Sequence, residues 1–89
     1  MFYVYILECK DKSYYTGYTD DLDARVEKHN AGKGAKYTKG RGPVKVVWSR
    51  EFNGKHDAMS TEYKLKQLTK QQKEVLIKRQ RKVFIKTFG

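Results

Sequence analysis

Two short tyrosine-containing segments near the start of the chain, Tyr3-Val-Tyr5 and Tyr15-Thr-Gly17, contain residue types that can do chemistry. The surrounding residues are aromatic or β-branched, which predicts strands. Alternate side chains of a strand share a face, so Tyr15 and Gly17 lie on the same side. A glycine inside a strand often marks a place where another group approaches the backbone, and beside Tyr15 that group could be a ligand. The alternative is that these tyrosines only fill a half-exposed sheet face.

The next segment predicts a helix whose buried face carries two polar side chains. Leu22, Arg25, Val26 and His29 follow the i, i+3, i+4, i+7 spacing of a helix that packs against a core. An arginine can bind a phosphate through two donors, and a histidine can donate, accept or transfer a proton. The structural alternative is an arginine whose aliphatic stem covers the core and a histidine bonded to a carbonyl.

A carboxylate interrupts an apolar helix face later in the chain. Glu62 lies between Ala58 and Leu65 on one predicted stripe. A buried carboxylate must be matched by a cation, by donors or by a metal ion. Arg25 is one candidate partner, and the other is a divalent ion, since Mg²⁺ commonly binds one or two protein carboxylates and keeps its waters. The single cysteine, Cys9, and the absence of a His/Cys cluster give no zinc site.

Positive charge is concentrated after residue 30. The chain has 20 Lys and Arg against 10 Asp and Glu, and residues 31–89 hold 16 of these bases and 4 of these acids. Such a field attracts polyanions and makes their binding salt-dependent, which favours nucleic acid over a membrane surface as the partner. The alternative is a charge that only keeps the protein in solution. The predicted nucleic-acid contacts are Lys33, Lys36, Lys39, Arg41, Lys64 and Lys66.

The length of 89 residues and the hydrophobic content of 38% predict one small domain, which we assign to residues 1–82, followed by a tail at 83–89. The single cysteine excludes a disulfide framework. No apolar run is long enough for a bilayer, and the N-terminus lacks the pattern of a signal peptide, so we expect a cytoplasmic protein.

The remaining pattern predicts an α+β fold in which a small three-stranded antiparallel sheet is flanked by about three helices. Strands are predicted over 2–7, 14–18 and 44–52. Helices are predicted from a cap at Thr19 or Asp20 to about Asn30, from about Asp57 to Leu68, and from a capping box formed by Thr69 and Gln72.

Taken together, the two strand tyrosines, the helical Arg and His and the inward-facing Glu resemble the catalytic domain of GIY-YIG nucleases. This family includes intron homing endonucleases, the incision subunit of bacterial excision repair and a junction-resolving nuclease subunit. The resemblance covers residues 2–80, and the segments 28–38 and 42–43 are especially similar to the small stand-alone bacterial members.

The resemblance implies a role for each matching residue. Tyr5 and Tyr15 are the paired motif tyrosines, one of which helps to deprotonate the attacking water, and the resemblance leaves open which one. Gly17 packs against the site, Arg25 holds the scissile phosphate, His29 bonds a tyrosine or relays a proton, and Glu62 holds a single Mg²⁺ or Mn²⁺ ion. The implied activity is metal-dependent endonucleolytic hydrolysis of phosphodiester bonds in DNA.

Two features depart from the family pattern. Tyr3 stands where the name-giving glycine usually lies, which we expect to affect only backbone packing. Larger relatives append DNA-binding modules, so here target choice would come from residues 33–41, from 64–82 or from a protein partner. Phosphate contacts position a duplex without reading its sequence. We therefore expect structure-biased or nonspecific cleavage in repair or recombination, with DNA favoured over RNA. The alternative is a non-catalytic basic nucleic-acid-binding module.

Overall fold

The structure, a computed structural model, describes the backbone of residues 1–88 and the side chains of residues 1–81. Three strands and three helices are present, as the sequence predicts for an α+β fold. In chain order they are β1 (Phe2–Glu8), β2 (Tyr14–Thr19), α1 (Leu22–Asn30), β3 (Lys45–Phe52), α2 (Lys55–Lys66) and α3 (Lys70–Phe88).

The three strands form one antiparallel sheet in the order β2-β1-β3, so the first strand of the chain is the central one. Because β1 is covered on both edges and both faces, Val4, Tyr5, Ile6 and Leu7 are all buried. Tyr5 pairs directly with Gly17 of β2, which places the two motif segments side by side.

Alternation along the strands divides the core into two layers. One layer is formed on the face that carries Tyr5 and Leu7, against which Leu22 and Val26 of α1 pack. The other layer is formed around Val4, against which α2 packs through its buried residues Ala58 and Leu65. The predicted division of side chains between the two sheet faces is therefore confirmed.

Three of the predicted helix boundaries, the start of α1 and both ends of α2, are wrong by one or two residues. The N-cap of α1 is Asp21, whose carboxylate accepts a hydrogen bond from the backbone N–H of Ala24, while Thr19 still belongs to β2. Helix α2 begins at Lys55 directly after the turn at Gly54, not at Asp57, and it ends at Lys66.

Helix α3 begins as predicted and contacts one of the two edges of the sheet, that of β3. The backbone N–H of Thr69 donates to Gln72 Oε1 at 2.9 Å, and the N–H of Gln72 donates to Thr69 Oγ1 at 3.2 Å, which is a capping box. Further along, Gln80 bonds both backbone groups of Ser49 on the edge strand β3, so its amide takes the place of a fourth strand at this position.

The backbone of α3 continues to Phe88. The division between a domain over 1–82 and a tail over 83–89 stays a prediction, since the side chains from residue 82 onward lie outside the described part of the chain. No helix in the described part combines the length and the apolar character needed to cross a bilayer.

Candidate active site

The centre of the site is a hydrogen bond between two buried side chains from different elements. Tyr5 Oη on β1 lies 3.1 Å from Nε2 of His29 on α1, and each residue is only 1% exposed. The ring of Tyr15 completes the group, with its centroid 6.4 Å from that of Tyr5 and 5.1 Å from that of His29. The structure therefore brings together the two motif tyrosines and the helical histidine.

The hydrogen bond between Thr38 and Ala35 determines which ring nitrogen of His29 carries the proton. Thr38 Oγ1 lies 3.1 Å from the carbonyl oxygen of Ala35, which can only accept, so the hydroxyl proton of Thr38 points to Ala35. His29 Nδ1, at 2.8 Å from Thr38 Oγ1, is therefore the protonated ring nitrogen and donates to Thr38. In the neutral imidazole Nε2 is then an acceptor, and the Tyr5 hydroxyl donates to it.

Two glycines allow this packing. A Cβ at Gly17 would lie 2.5 Å from Tyr5 Oη and 2.7 Å from Tyr5 Cζ, so the phenol ring crosses directly over the glycine. The close approach for which the sequence suggested a ligand is made by Tyr5 itself. A Cβ at Gly34 would lie 2.5 Å from Nδ1 of His29, so this loop glycine is required for the loop to lie against the imidazole.

Arg25 and Glu62 act on the same phenol from two different helices. Burial is the main reason why the pKa of Tyr5 is raised, and the nearby charges of Tyr15 and Glu62 raise it further, whereas that of Arg25 lowers it. The pKa of His29 is lowered, mainly by burial and also by the positive charge of Arg25. The charges of Arg25 on α1 and Glu62 on α2 thus both influence the pKa of Tyr5, although the two helices pack on opposite sheet faces.

The environment of Glu62 differs in part from the prediction. Its side chain is 17% exposed, so it lies at the margin of the apolar stripe. Oε1 is 3.6 Å from Nζ of Lys66, one turn along the same helix. Among the ion pairs of residues 1–81, none joins Glu62 to Arg25, so the proposed structural pairing of these two residues is not formed.

Glu62 offers one carboxylate as a possible ligand for a hard divalent cation, and the ammonium of Lys66 lies beside it. Within the described residues there is no group of three or more His, Cys, Asp or Glu side chains that could hold a metal ion. A partly exposed single carboxylate suits Mg²⁺ or Mn²⁺, which bind oxygen and retain several waters. It does not suit zinc, which takes nitrogen and sulfur ligands in closed sites.

Arg25 borders a cleft of about 300 Å³ that is open to solvent. Its other lining residues are Phe2, Tyr18, Thr19, Asp20 and Lys55. The charged groups that line this cleft are the guanidinium of Arg25, the ammonium of Lys55 and the carboxylate of Asp20, so a phosphate entering it would meet two positive groups and one negative group. We call this space the Arg25 cleft.

The basic loop between α1 and β3 folds back onto the site. The ring of Tyr37 stacks on that of Tyr15, with centroids 6.0 Å apart and an interplanar angle of 28°. Arg41 holds this ring in place, since its guanidinium carbon lies 4.5 Å from the Tyr37 centroid and the group also forms an ion pair with Asp11. Arg41 therefore braces the loop in addition to carrying charge.

The other predicted nucleic-acid contacts are on the surface. Lys33, Lys36 and Lys39 are exposed on the loop, and Lys64 and Lys66 are exposed on α2. Their role in binding stays a prediction.

Three residues of the site had no assigned role in the sequence analysis: Gly34, Tyr37 and Thr38. All three lie in a loop, where there is no periodicity to indicate which side chains point inward. The segment 28–38 contributed to the family resemblance, but nothing in its spacing singled out Thr38 as the partner of His29.

Comparison with known proteins identifies the family. The family model of the GIY-YIG catalytic domain matches residues 1–75. The chain therefore belongs to the GIY-YIG family, whose nuclease domain supports an endonuclease-like role and a general dependence on divalent metal ions.

Within that family, the chain is similar to small single-domain proteins named UPF0213. It is 57% identical over 75 residues to UPF0213 protein BH0048 of Halalkalibacterium halodurans, covering 84% of this chain and 80% of that protein. It is 54% identical over 76 residues to UPF0213 protein VNG_2274C of Halobacterium salinarum, covering 85% of this chain and 99% of that protein.

Two solved structures share the fold. The solution NMR structure of BH0048 matches with a TM-score of 0.57 at 56% identity, covering 88% of this chain and 84% of that one. The solution NMR structure of protein EF2693 from E. faecalis matches with a TM-score of 0.59 at 39% identity, covering 86% and 82%. The predicted family and fold class are both confirmed.

Proposed function

We propose that this protein is an endonuclease that hydrolyses phosphodiester bonds in DNA with the help of one Mg²⁺ or Mn²⁺ ion. The observation that carries the proposal is the hydrogen bond from the buried Tyr5 hydroxyl to Nε2 of His29, in a family whose domain is a nuclease. This bond provides a route by which a phenol can lose its proton without needing bulk solvent.

The proposed proton transfer begins at the attacking water. Tyr5 Oη takes a proton from the water as its own proton moves to Nε2 of His29, and the hydroxide forms a bond to phosphorus while the bond to the leaving oxygen breaks. The imidazolium that results is held by Thr38 at Nδ1. Arg25 lowers the pKa of Tyr5, and so favours this transfer.

The positive groups oppose the charge that develops on the phosphoryl oxygens. Arg25 lies at the open cleft, where two parallel donors can bind the scissile phosphate. Glu62 would hold the divalent ion, which when bound stabilises the nonbridging and leaving oxygens as a Lewis acid. Neutralising Glu62 also removes one of the influences that raise the pKa of Tyr5.

The test is cleavage of labelled branched, nicked, single-stranded and duplex DNA, with RNA in parallel, in Mg²⁺ or Mn²⁺. We expect cleavage by the unmodified protein and a loss of about 100-fold or more in Glu62→Gln and Tyr5→Phe. Tyr15→Phe shows whether the second phenol also takes part. Activity in Glu62→Gln equal to that of the unmodified protein would refute the assigned metal site.

A second candidate function is binding without cleavage, favoured by the net charge of +12 on residues 31–89, with 16 bases and 4 acids. A module of this kind would bind DNA or RNA in a salt-dependent manner, and its affinity would survive the loss of Glu62. Salt-dependent binding with no turnover on any substrate would favour this second candidate.

The leading proposal also includes a role in repair or recombination, a cytoplasmic location and a partner protein for targeting.

A further inference from the structure

A second cleft of about 260 Å³ lies beside the site, between the loop and the start of α3. We call it the α3 cleft. Its lining residues are Asp11, Ser13, Tyr14, Tyr37, Lys70 and Lys73. The open space is lined by two phenol rings and two ammonium groups. This combination suits a nucleotide, because phenols stack on bases and lysines bind phosphates.

The acid in the α3 cleft is already neutralised. Asp11 forms an ion pair with Arg41, and it accepts hydrogen bonds from the backbone N–H and the hydroxyl of Ser13. By contrast, neither Lys70 nor Lys73 takes part in any ion pair of the described side chains. An anion that enters the cleft therefore meets two lysines and no competing free carboxylate on its walls.

One lysine of the cleft lies over an aromatic ring, and the other is close to a further lysine outside the cleft. Nζ of Lys70 lies 5.6 Å from the centroid of the Tyr14 ring. Lys73 is half-buried, and its pKa is lowered by burial and by the positive charge of Lys66. A bound phosphate would relieve this crowding of positive charge at the start of α3.

The α3 cleft is connected to the candidate active site through Tyr37. This ring is 42% exposed, and it lines the cleft while it stacks on the motif residue Tyr15. The position of the Tyr37 ring does not depend on a ligand, because the guanidinium of Arg41 packs against it. A nucleobase that contacts Tyr37 therefore lies next to the reacting centre.

The two clefts lie at opposite ends of the edge strand β2. Tyr18 lines the Arg25 cleft and Tyr14 lines the α3 cleft, and the four residue steps from Tyr14 to Tyr18 correspond to ~13 Å along a strand. A polynucleotide strand with one phosphate on Arg25 would have to span this distance along β2 to reach Lys70 and Lys73.

We propose that the α3 cleft is a nucleotide-binding subsite that holds a nucleotide of the substrate strand on one side of the cut. Lys70 and Lys73 bind its phosphate and Tyr37 contacts its base. This inference rests on the proposed function, since it concerns the substrate of that same site, and it assigns binding roles to residues outside the predicted catalytic set.

The first test measures binding of a short labelled single-stranded oligodeoxynucleotide in EDTA, where metal-dependent cleavage does not occur. The double variant Lys70→Gln/Lys73→Gln is compared with Lys78→Gln/Arg79→Gln, which removes two charges from exposed positions of the same helix outside the cleft. We expect the cleft variant to lose about tenfold or more in affinity, and its salt dependence to fall by ~1.4 in log–log slope. Equal losses in the two variants would overturn the proposal, since they would report only total charge.

The second test concerns the base contact. We expect Tyr37→Leu to weaken oligonucleotide binding about tenfold and Tyr37→Trp to keep it, because stacking needs an aromatic ring but not a particular one. Circular dichroism checks that both variants fold. Affinity in Tyr37→Leu equal to that of the unmodified protein would overturn the base contact, as would competition by inorganic phosphate that is as strong as competition by a deoxynucleoside monophosphate.

Failure of the subsite can be separated from failure of the proposed function. If the unmodified protein cuts DNA in a Glu62-dependent way while the cleft variants bind as well as it does, only the subsite is wrong. If the unmodified protein neither binds nor cuts any polynucleotide, the proposed function itself fails.

Discussion

Replacing Thr38 by valine tests the hydrogen-bond chain that prepares Tyr5 for proton transfer. Thr38 is 1% exposed and is the partner of His29 Nδ1 at 2.8 Å. Valine has nearly the same shape but no hydroxyl, so the buried Nδ1–H loses its acceptor and the carbonyl of Ala35 loses its donor. An unsatisfied buried polar group costs about 1–3 kcal/mol, and we expect the free energy of unfolding to fall by that amount.

The same substitution removes the constraint on the histidine tautomer. Without an acceptor at Nδ1, the imidazole gains by moving its proton to Nε2, where it faces Tyr5 as a donor rather than an acceptor. The Tyr5 hydroxyl then has no base, although Tyr5, Arg25 and Glu62 are unchanged. We expect the cleavage rate to fall about 100-fold, which is the size of a typical general-base contribution.

The assay combines urea unfolding with single-turnover cleavage of a labelled DNA substrate at a temperature where both proteins are folded. Thr38→Ser is the matched control, because it keeps the hydroxyl and removes only a methyl group, and its cleavage rate should stay within a few-fold of the original. A Thr38→Val protein that is destabilised but cleaves at the original rate would show that the bond to Nδ1 is structural only. In that case the proton route from Tyr5 to His29 would be wrong.

Three further predictions follow from the site. Gly17→Ala places a methyl group 2.5 Å from Tyr5 Oη, so the ring must move, and we expect a loss of about 1–3 kcal/mol in unfolding free energy together with reduced cleavage. The pKa of His29 is lowered by burial below its ordinary value of 6.5, so the unfolded chain binds more protons, and the His29 contribution to stability is complete above about pH 6.5 and is lost as the pH falls through the folded pKa. Lys66→Ala frees Glu62 from a competing cation, and we expect Mn²⁺, measured by calorimetry, to bind a few-fold more tightly.

Each of these expectations has a contradicting result. For the glycine, Gly42→Ala is the comparison, because a Cβ there would meet only Asn30 Oδ1 at 3.9 Å, and equal destabilisation of both variants would remove the argument from the Tyr5 ring. Stability that does not decrease in acid, or that decreases equally in His29→Gln, would exclude His29 as the titrating group. Weaker Mn²⁺ binding in Lys66→Ala would show that the lysine positions the carboxylate rather than competing with the ion.

Local sequence pattern was sufficient for most of the fold. The hairpin follows from two β-rich segments around a polar turn, and the two core layers follow from strict alternation along β1, which puts Val4 and Tyr5 on opposite faces. The capping box at Thr69 and Gln72 was also predictable, because its two hydrogen bonds join residues only three positions apart. These features depend on neighbours in the chain, which the amino-acid order specifies directly.

The predicted helix boundaries were less accurate, because neighbouring residues compete for the same capping position. Both Thr19 and Asp20 have the chemistry of an N-cap, but Thr19 belongs to β2, and the residue directly before the first helical residue, Leu22, is Asp21. Competition between strand pairing and capping is settled by the register with β1, where Thr19 pairs with Tyr3. The preference of a residue for the N-cap position does not reveal this strand register.

The sequence alone specified which chemically active residues the protein has. The tertiary structure determined which of them are in contact. Residue spacing predicted inward faces for Arg25, His29 and Glu62, and the resemblance to GIY-YIG nucleases joined them with Tyr5 and Tyr15 into one candidate site. The acceptor for the histidine comes from a contact between a loop and helix α1, and the ring that crosses Gly17 comes from the pairing of two strands. The lysine that pairs with Glu62 lies only four positions along the same helix. Loop residues have no repeat from which their direction can be deduced, and several partners of suitable charge compete for each polar group, so packing in three dimensions makes the choice.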